Sequence, residues 1–330
     1  MNDAERLALV AEANRAPSVH NIQPARFRFE DGAIVLMEDT RRRLFVGDPE
    51  GHDNEKSLGA AAEGLVLALG ERGFGAEIKI VRGEGEVREI ARVVYAGGVA
   101  PDALAPFAET RASYRGTFGP PSAGAGDGDA LKRLAEACAD LAIVTDRDAI
   151  AALAKRFDDV SLEVLRAPAY RAELLSWMRL SVRDANYARD GLNAAHMALS
   201  PLEALGAGVV LGARAFPVLD AAGLARPLIA ESAKVRSAAA VALFHRPAEE
   251  AEFETGRRFY RVWLEITREG LALCPMSVLA DVPHAAAREL REAGVAPGRK
   301  LVSVFRIGRR PAQAHMPPRA RLPASELIVR

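Results

Sequence analysis

Cysteine is nearly absent: Cys138 and Cys274 are the two in 330 residues. That excludes a disulfide framework and a four-cysteine zinc site, and it points to a reducing, cytoplasmic setting. Neither sign of charge is in excess, since 44 Lys and Arg balance 44 Asp and Glu. This disfavours a polyanion-binding or membrane-surface protein, and nucleic acid is not an expected partner. Long apolar runs are missing too. The most apolar stretch, residues 201–228, is interrupted by Glu203, Arg214, Asp220 and Arg226, whereas a bilayer span needs about 20 consecutive apolar residues. No membrane segment is expected. Residues 1–15 mix acids with apolar side chains, lack the basic start of a secretory signal, and read as a short helix.

Several familiar motifs are also missing. The Gly-rich residues 124–128 have neither the spacing nor the preceding strand of a dinucleotide fingerprint. Residues 294–300 lack the Ser or Thr that follows the lysine of a phosphate loop, because Leu301 follows Lys300. His20, His52, His196, His245, His284 and His315 are scattered without paired ligand spacing, so no metal site is expected. No G-x-S-x-G elbow supports a hydrolase nucleophile.

What is present is a chain of ordinary globular composition, 49% apolar and 27% charged, about twice a typical domain in length. Residues 26–30 and 33–38 alternate and are joined by Asp31-Gly32, which predicts a hairpin. Leu58, Ala61, Ala62, Leu65, Val66 and Leu69 recur at helical spacing, with Gly70 and Gly73 as the stop. Strands are predicted over 76–81 and 89–95. Residues 120–129, PPSAGAGDGD, have loop composition. The pattern then restarts: helix over 130–139, strand over 141–145, helix over 149–160. Residues 162–199 are helical in composition but broken by Pro168 and Gly191, which suggests an excursion covering something. Residues 238–244 and 301–306 read as buried strands, and Phe259, Val262, Trp263 and Ile266 mark a buried helix between them. The fold class is α+β in both parts of the chain.

Four segments carry chemistry. The first, residues 16–24, is dense in small donors and acceptors between Pro17 and Pro24, and reads either as a binding loop or as a capped turn. In the second, Arg111, Ser113 and Arg115 alternate along an extended segment and share one side of it; a solvated charged strand has the same pattern. The third places Arg319 and Arg321 near the C-terminus, which alone reads as an exposed tail. The fourth, Pro275, Met276 and Ser277, follows the buried helix, and ordinary loop packing is its plainer reading.

Together these segments resemble the FMN-dependent nitroreductase family, and more closely its long, internally duplicated members of the mycobacterial Acg type. The family's P-S-x-x-N-x-Q-P-W loop contacts the flavin ring, and Pro17, Ser18, Asn21, Gln23 and Pro24 stand at its places. Its R-x-S-x-R stretch, which meets the phosphate and the pyrimidine edge, implies Arg111, Ser113 and Arg115. The basic pair near the C-terminus implies Arg319 and Arg321 on the phosphate, and the loop beneath N5 implies Pro275, Met276 and Ser277. The family's Trp is Ala25 here, so packing under the loop differs.

Ordinary members are homodimers with the flavin at the interface. Here residues 1–105 carry the loop and residues 106–330 the arginine segments, so the resemblance implies two fused nitroreductase-like halves holding one FMN between them. The chain would then be a monomer that mimics the dimer, or a homo-oligomer of it. The implied activity is ping-pong reduction of a nitroaromatic or quinone-like acceptor by NAD(P)H. Residues 162–199, with Tyr170, Trp177, Met178 and Tyr187, form a lid or pack as core. A lid that closed the flavin face would instead give a non-enzymatic FMN-sequestering protein.

Overall fold

A computed structural model describes residues 1–119 and 126–329. The chain opens with helix α1 (Asp3–Ala13), whose first turn is fixed by a reciprocal cap. The Glu5 backbone N–H donates to Asn2 Oδ1 at 2.9 Å, and the Asn2 N–H donates to Glu5 Oε2 at 2.7 Å. Strands β1 (Ala25–Glu30) and β2 (Ala33–Asp39) form the expected hairpin, with Gly32 at φ +70° in the turn. Helix α2 (His52–Gly70) follows, then β3 (Phe74–Ile80) and β4 (Val87–Gly97). The four strands form one antiparallel sheet in the order β1-β2-β4-β3.

After helix α3 (Phe107–Thr110) comes α4 (Gly126–Ala137). The loop expected over 120–129 is therefore corrected at its end, and residues 120–125 lie outside the described residues. Asp127 and Asp129 fall in the first turn of α4, where acids favour a helix start. Strand β5 (Leu141–Val144) and helix α5 (Arg147–Leu165) lead into an insertion. It contains α6 (Pro168–Trp177), the two-residue parallel pair β6 (Met178–Arg179) and β7 (Leu192–Asn193), and helices α7 (Pro201–Val210), α8 (Ala215–Ala221), α9 (Ala225–Ile229) and α10 (Ser232–Arg236). No single helix among the described residues is long and apolar enough to cross a membrane.

Strand β8 (Ala240–Pro247), helix α11 (Glu252–Arg268) and strand β9 (Ala272–Pro275) come next. Helices α12 (Val278–Asp281) and α13 (Pro283–Glu292), strand β10 (Arg299–Gly308) and helix α14 (Ala324–Leu327) complete the chain. The second antiparallel sheet has the order β5-β8-β10-β9. Both sheets thus follow one scheme. The first strand pairs with the second, the second with the fourth and the fourth with the third, and a long helix separates the second from the third in sequence.

Those two long helices cross in the middle of the molecule. Ala60 and Leu67 of α2 share a buried cluster with Tyr260 and Leu264 of α11. The first sheet has its own core around Phe27, Leu36, Leu65 and Val93. The second sheet is covered on both faces, by a cluster around Phe244, Trp263 and Phe305 and by another around Val241, Leu279 and Val304. The C-terminal arm is not the exposed tail that its two arginines alone suggest. Leu322 and Leu327 belong to the core of the first sheet, and the Val329 N–H donates to the Phe27 carbonyl at 2.8 Å.

Candidate functional site

A cavity of about 290 Å³ lies where the two long helices, the C-terminal arm and the insertion meet. That is near the lower end of small-molecule sites, roughly 300–1,000 Å³. It is lined by Pro17, Ser18 and Asn21, by Arg111, Ser113 and Arg115, by Pro275 and Ser277, and by Arg319 and Arg321. Ten of the thirteen residues that the four segments single out thus face one space, and Pro24 is buried away from it.

Gln23 and Met276 do not line it. Gln23 is buried and braces the loop: its Oε1 accepts from Asn14 Nδ2 at 3.0 Å and from the Leu322 N–H at 2.8 Å, and its Nε2 donates to the Arg189 carbonyl at 2.8 Å. Met276 is a core residue beside Val304, to whose carbonyl its N–H donates at 2.7 Å. Ala25 likewise opens β1 inside the first core rather than at the cavity.

The loop after α1 is held in an unusual shape. His20, Asn21 and Gln23 have φ of 43°, 56° and 51°, a left-handed region that non-glycine residues visit rarely, with Asn enriched there. Ser18 Oγ accepts the Gln23 N–H at 3.0 Å, and Ser57 Oγ of α2 accepts the Val19 N–H at 3.0 Å. Asn21 ties the loop to the arm: its Nδ2 donates to the Ala320 carbonyl at 3.2 Å and its Oδ1 accepts from Arg321 Nη1 at 2.7 Å. The strain is overdetermined by these contacts, and it presents Ser18, His20 and Asn21 to the cavity.

The arginines set the electrostatics. Among the described residues none of Arg111, Arg115, Arg319 and Arg321 pairs with a carboxylate, although buried guanidiniums elsewhere do, such as Arg179 on Asp190 at 2.8 Å. Arg111 is 4% exposed, stacks 4.5 Å from the Trp263 ring and donates to the Arg15 carbonyl at 2.9 Å, while its Nε has no partner. Arg319 donates to the carbonyls of Glu109 and Arg111 at 2.7 Å, and Arg321 Nε to that of Asn14 at 2.6 Å. Burial, reinforced by the neighbouring Arg319, pulls the Arg111 guanidinium down to about 10. Burial also lowers Arg319, and it lowers Arg321 strongly, there with help from Arg111 and Arg319. Burial and the charges of Arg115, Arg321 and Arg319 hold His196 at about 4. A region that penalises added protons in this way is built to receive negative charge.

Sequence reading missed other residues at the cavity. Asp53, Lys56 and Ser57 come from α2, Phe259 and Trp263 from α11, Ser303 from β10, and Gly191, Leu192 and His196 from the insertion. Ser303 left a signal, as a polar residue between Val302 and Val304 in the apolar run of β10; it is 3% exposed and, among the described residues, its Oγ has no partner. Asp53, Lys56 and Ser57 left a fainter one, sharing a face at i, i+3 and i+4 within the polar first turns of a helix whose remainder is apolar but for Glu63. Of the aromatics expected in a lid, Tyr170 borders a small side space off the cavity, whereas Trp177 lies under the guanidiniums of Arg42 and Arg179 at 5.6 Å each.

Solved structures similar to this chain include several nitroreductases. A putative nitroreductase from Anabaena variabilis aligns over 94% of this chain and 90% of its own, at 11% identity and a TM-score of 0.43. The FMN-dependent nitroreductase NfnB from Mycobacterium smegmatis, solved with NADPH, aligns over 63% and 89%, at 21% identity and 0.34. A Bacteroides fragilis nitroreductase solved with FMN aligns over 66% and 92%, at 13% and 0.35. No protein-family model and no curated protein sequence matches the chain.

Proposed function

We propose that this protein is an FMN-dependent oxidoreductase that passes electrons from NAD(P)H to a nitroaromatic or quinone-like acceptor. The observation that carries the reading is the set of four guanidiniums that, among the described residues, have no carboxylate partner at one cavity, beside hydroxyls and an amide that suit a planar, hydrogen-bonding ring. The donor set fits FMN. Unpartnered Arg111 Nε and Ser303 Oγ are buried polar atoms in want of a ligand, since leaving such groups unsatisfied costs about 1–3 kcal/mol each.

Arg111, Arg115, Arg319 and Arg321 would hold the phosphate dianion, and each charge-assisted hydrogen bond contributes roughly 1.5–3 kcal/mol before ordering costs. Ser18, Asn21 and Ser113 would meet the ring's polar edge, with Gln23 positioning the loop, Pro275 and Ser277 forming the surface beneath the ring, and Met276 anchoring that segment in the core. When bound, FMN supplies two-electron hydride chemistry at N5. Trp263 and Phe259 keep one side of the cavity dry, which strengthens its polar contacts.

The repeated strand order supports two fused halves, residues 1–105 and 106–330, sharing one FMN. Residues 319–329, which pack on the first half, cross between them. One chain would then do the work of a dimer, binding NAD(P)H and the acceptor in turn in a ping-pong cycle. A second reading, an FMN-sequestering protein, draws on the insertion, whose Gly191, Leu192 and His196 border the cavity. Steady-state oxidation of NADPH or NADH with a quinone or nitrofuran decides between them: turnover supports the oxidoreductase, and FMN retention without turnover in any acceptor supports sequestration.

A further inference from the structure

Strand β10 runs between β8 and β9 in the second sheet, where a regular strand sends successive side chains to opposite faces. Val302 and Ser303 break that rule, since both line the large cavity. The register with β8 shows why. Leu301 stands opposite His245 and Ser303 opposite Phe244, so two steps along β10 match one along β8, and Val302 is the extra residue. This β-bulge shifts the alternation of side chains by one place. Leu301 and Val304, three apart, thus share the core on one face, and Val302 and Phe305 share the core on the other.

The bulge aims a buried hydroxyl at the cavity. Ser303 is 3% exposed and, among the described residues, its Oγ has no partner. The aromatic wall on that side gives it none: Phe259 and Trp263 pack on Phe305 of the same strand face, with ring centroids 5.6 and 6.2 Å away, and neither ring carries an acceptor. The adjoining segment supplies a second lining residue, Ser277, because Pro275 pairs with Phe305 and the Met276 N–H donates to the Val304 carbonyl at 2.7 Å.

This wall does not suit a phosphate. Ser277 also borders the small side space, whose other walls include Asp53, Glu173 and Asp281, and carboxylates repel a dianion. The arginines gather at the C-terminal arm instead, where Arg319 donates to the Arg111 carbonyl and Arg321 holds Asn21 Oδ1, both at 2.7 Å.

Building on the flavin reading, we propose that the Ser303 hydroxyl donates a hydrogen bond to the polar edge of the FMN ring and thereby sets how firmly the protein holds the reduced cofactor. A donor at that edge meets more electron density after reduction than before, so the bond strengthens when the ring is reduced. Serine suits the place. Its O–H rotates toward whichever ring atom offers a lone pair, whereas an aliphatic side chain there would donate nothing. Without the cofactor the same hydroxyl is cut off from water and unpaired, which weakens the fold. Ser303 therefore couples two opposite effects, lower stability of the empty protein and tighter binding of the flavin.

The test compares the full-length protein with Ser303→Ala. Without FMN, the variant should unfold roughly 2 °C higher, because the change removes an unpaired buried hydroxyl. Its affinity for oxidised FMN should fall roughly 2- to 10-fold, the range of one neutral hydrogen bond. The midpoint potential of the bound flavin should drop, by about 30 mV if the preference for the reduced form falls tenfold. A hydroxyl that only fills space would move neither the affinity nor the potential. Ser303→Cys keeps the shape but donates weakly, so it should shift both in the same direction by less, and it serves if Ser303→Ala does not fold. An FMN-loaded variant with wild-type affinity and potential overturns this proposal alone. So does an FMN-free Ser303→Ala that unfolds below the wild type, which would show the hydroxyl already paired, whereas a protein that takes up no FMN overturns the flavin reading beneath it.

Discussion

Gly59 of α2 and Gly256 of α11 lie against each other's helix backbones. A Cβ at Gly59 would sit 1.9 Å from the Phe253 carbonyl oxygen, and one at Gly256 would sit 2.0 Å from that of Lys56. The two glycines let the helices cross at a spacing no side chain permits, and the crossing brings Asp53, Lys56 and Ser57 to the same cavity as Phe259 and Trp263.

Gly256→Ala should therefore destabilise the protein by at least the roughly 1–3 kcal/mol of an overpacked core, because the obstacle is backbone that cannot rotate away. Gly223→Ala gives the contrast. That glycine has nothing near its missing Cβ, and only its φ of +72° resists the change. Urea unfolding midpoints of both variants measure the difference.

The guanidinium cluster predicts that Arg111→Ala and Arg321→Ala each weaken FMN binding roughly 10- to 100-fold, from the loss of about 1.5–3 kcal/mol of charge-assisted hydrogen bonding. Arg111→Lys should restore little, because an ammonium offers neither the planar fork nor the stacking on Trp263. Fluorescence titration of the released flavin gives the affinities.

His196 reports the same charge. Its depressed value of about 4 arises from burial and the positive field of Arg115, Arg321 and Arg319, so filling the site with FMN or inorganic phosphate should raise it. In the ligand-free protein the unfolded chain binds the His196 proton between pH 6.5 and about 4 while the folded chain does not. Stability should thus fall as pH drops through that window, and less so in His196→Gln. NMR titration of the imidazole and thermal unfolding against pH read the two effects.

Much of this was legible in the sequence for physical reasons. The Asp31-Gly32 turn, the helical stripe from Leu58 to Leu69, and Trp263 with Ile266 are local signals of period and turn chemistry, and the elements formed where they point. Arg111, Arg319 and Asn21 stood out because polar groups were concentrated at short spacing. Residues 126–129 did not read as helix, since a Gly- and Asp-rich composition marks a loop as readily as a helix start. Lys56, Leu192 and His196 were hidden for another reason. Their place at the cavity depends on a helix crossing and on an insertion returning from far along the chain, which no local pattern records.

Glu173 offers a test of that insertion. Its carboxylate accepts the N–H groups of Phe45, Val46 and Gly47 and so fastens α6 to the loop before α2. Glu173→Gln keeps the shape but weakens charge-assisted bonds to neutral ones. Hydrogen exchange at those three amides should quicken, while the first sheet's strands keep their protection.

The absorbance spectrum of the purified chain tests most directly the proposal that two halves of the chain close around one flavin. The account predicts a yellow protein with one FMN per chain, or a colourless one that takes up one equivalent on titration. A preparation that stays colourless in saturating FMN would contradict it.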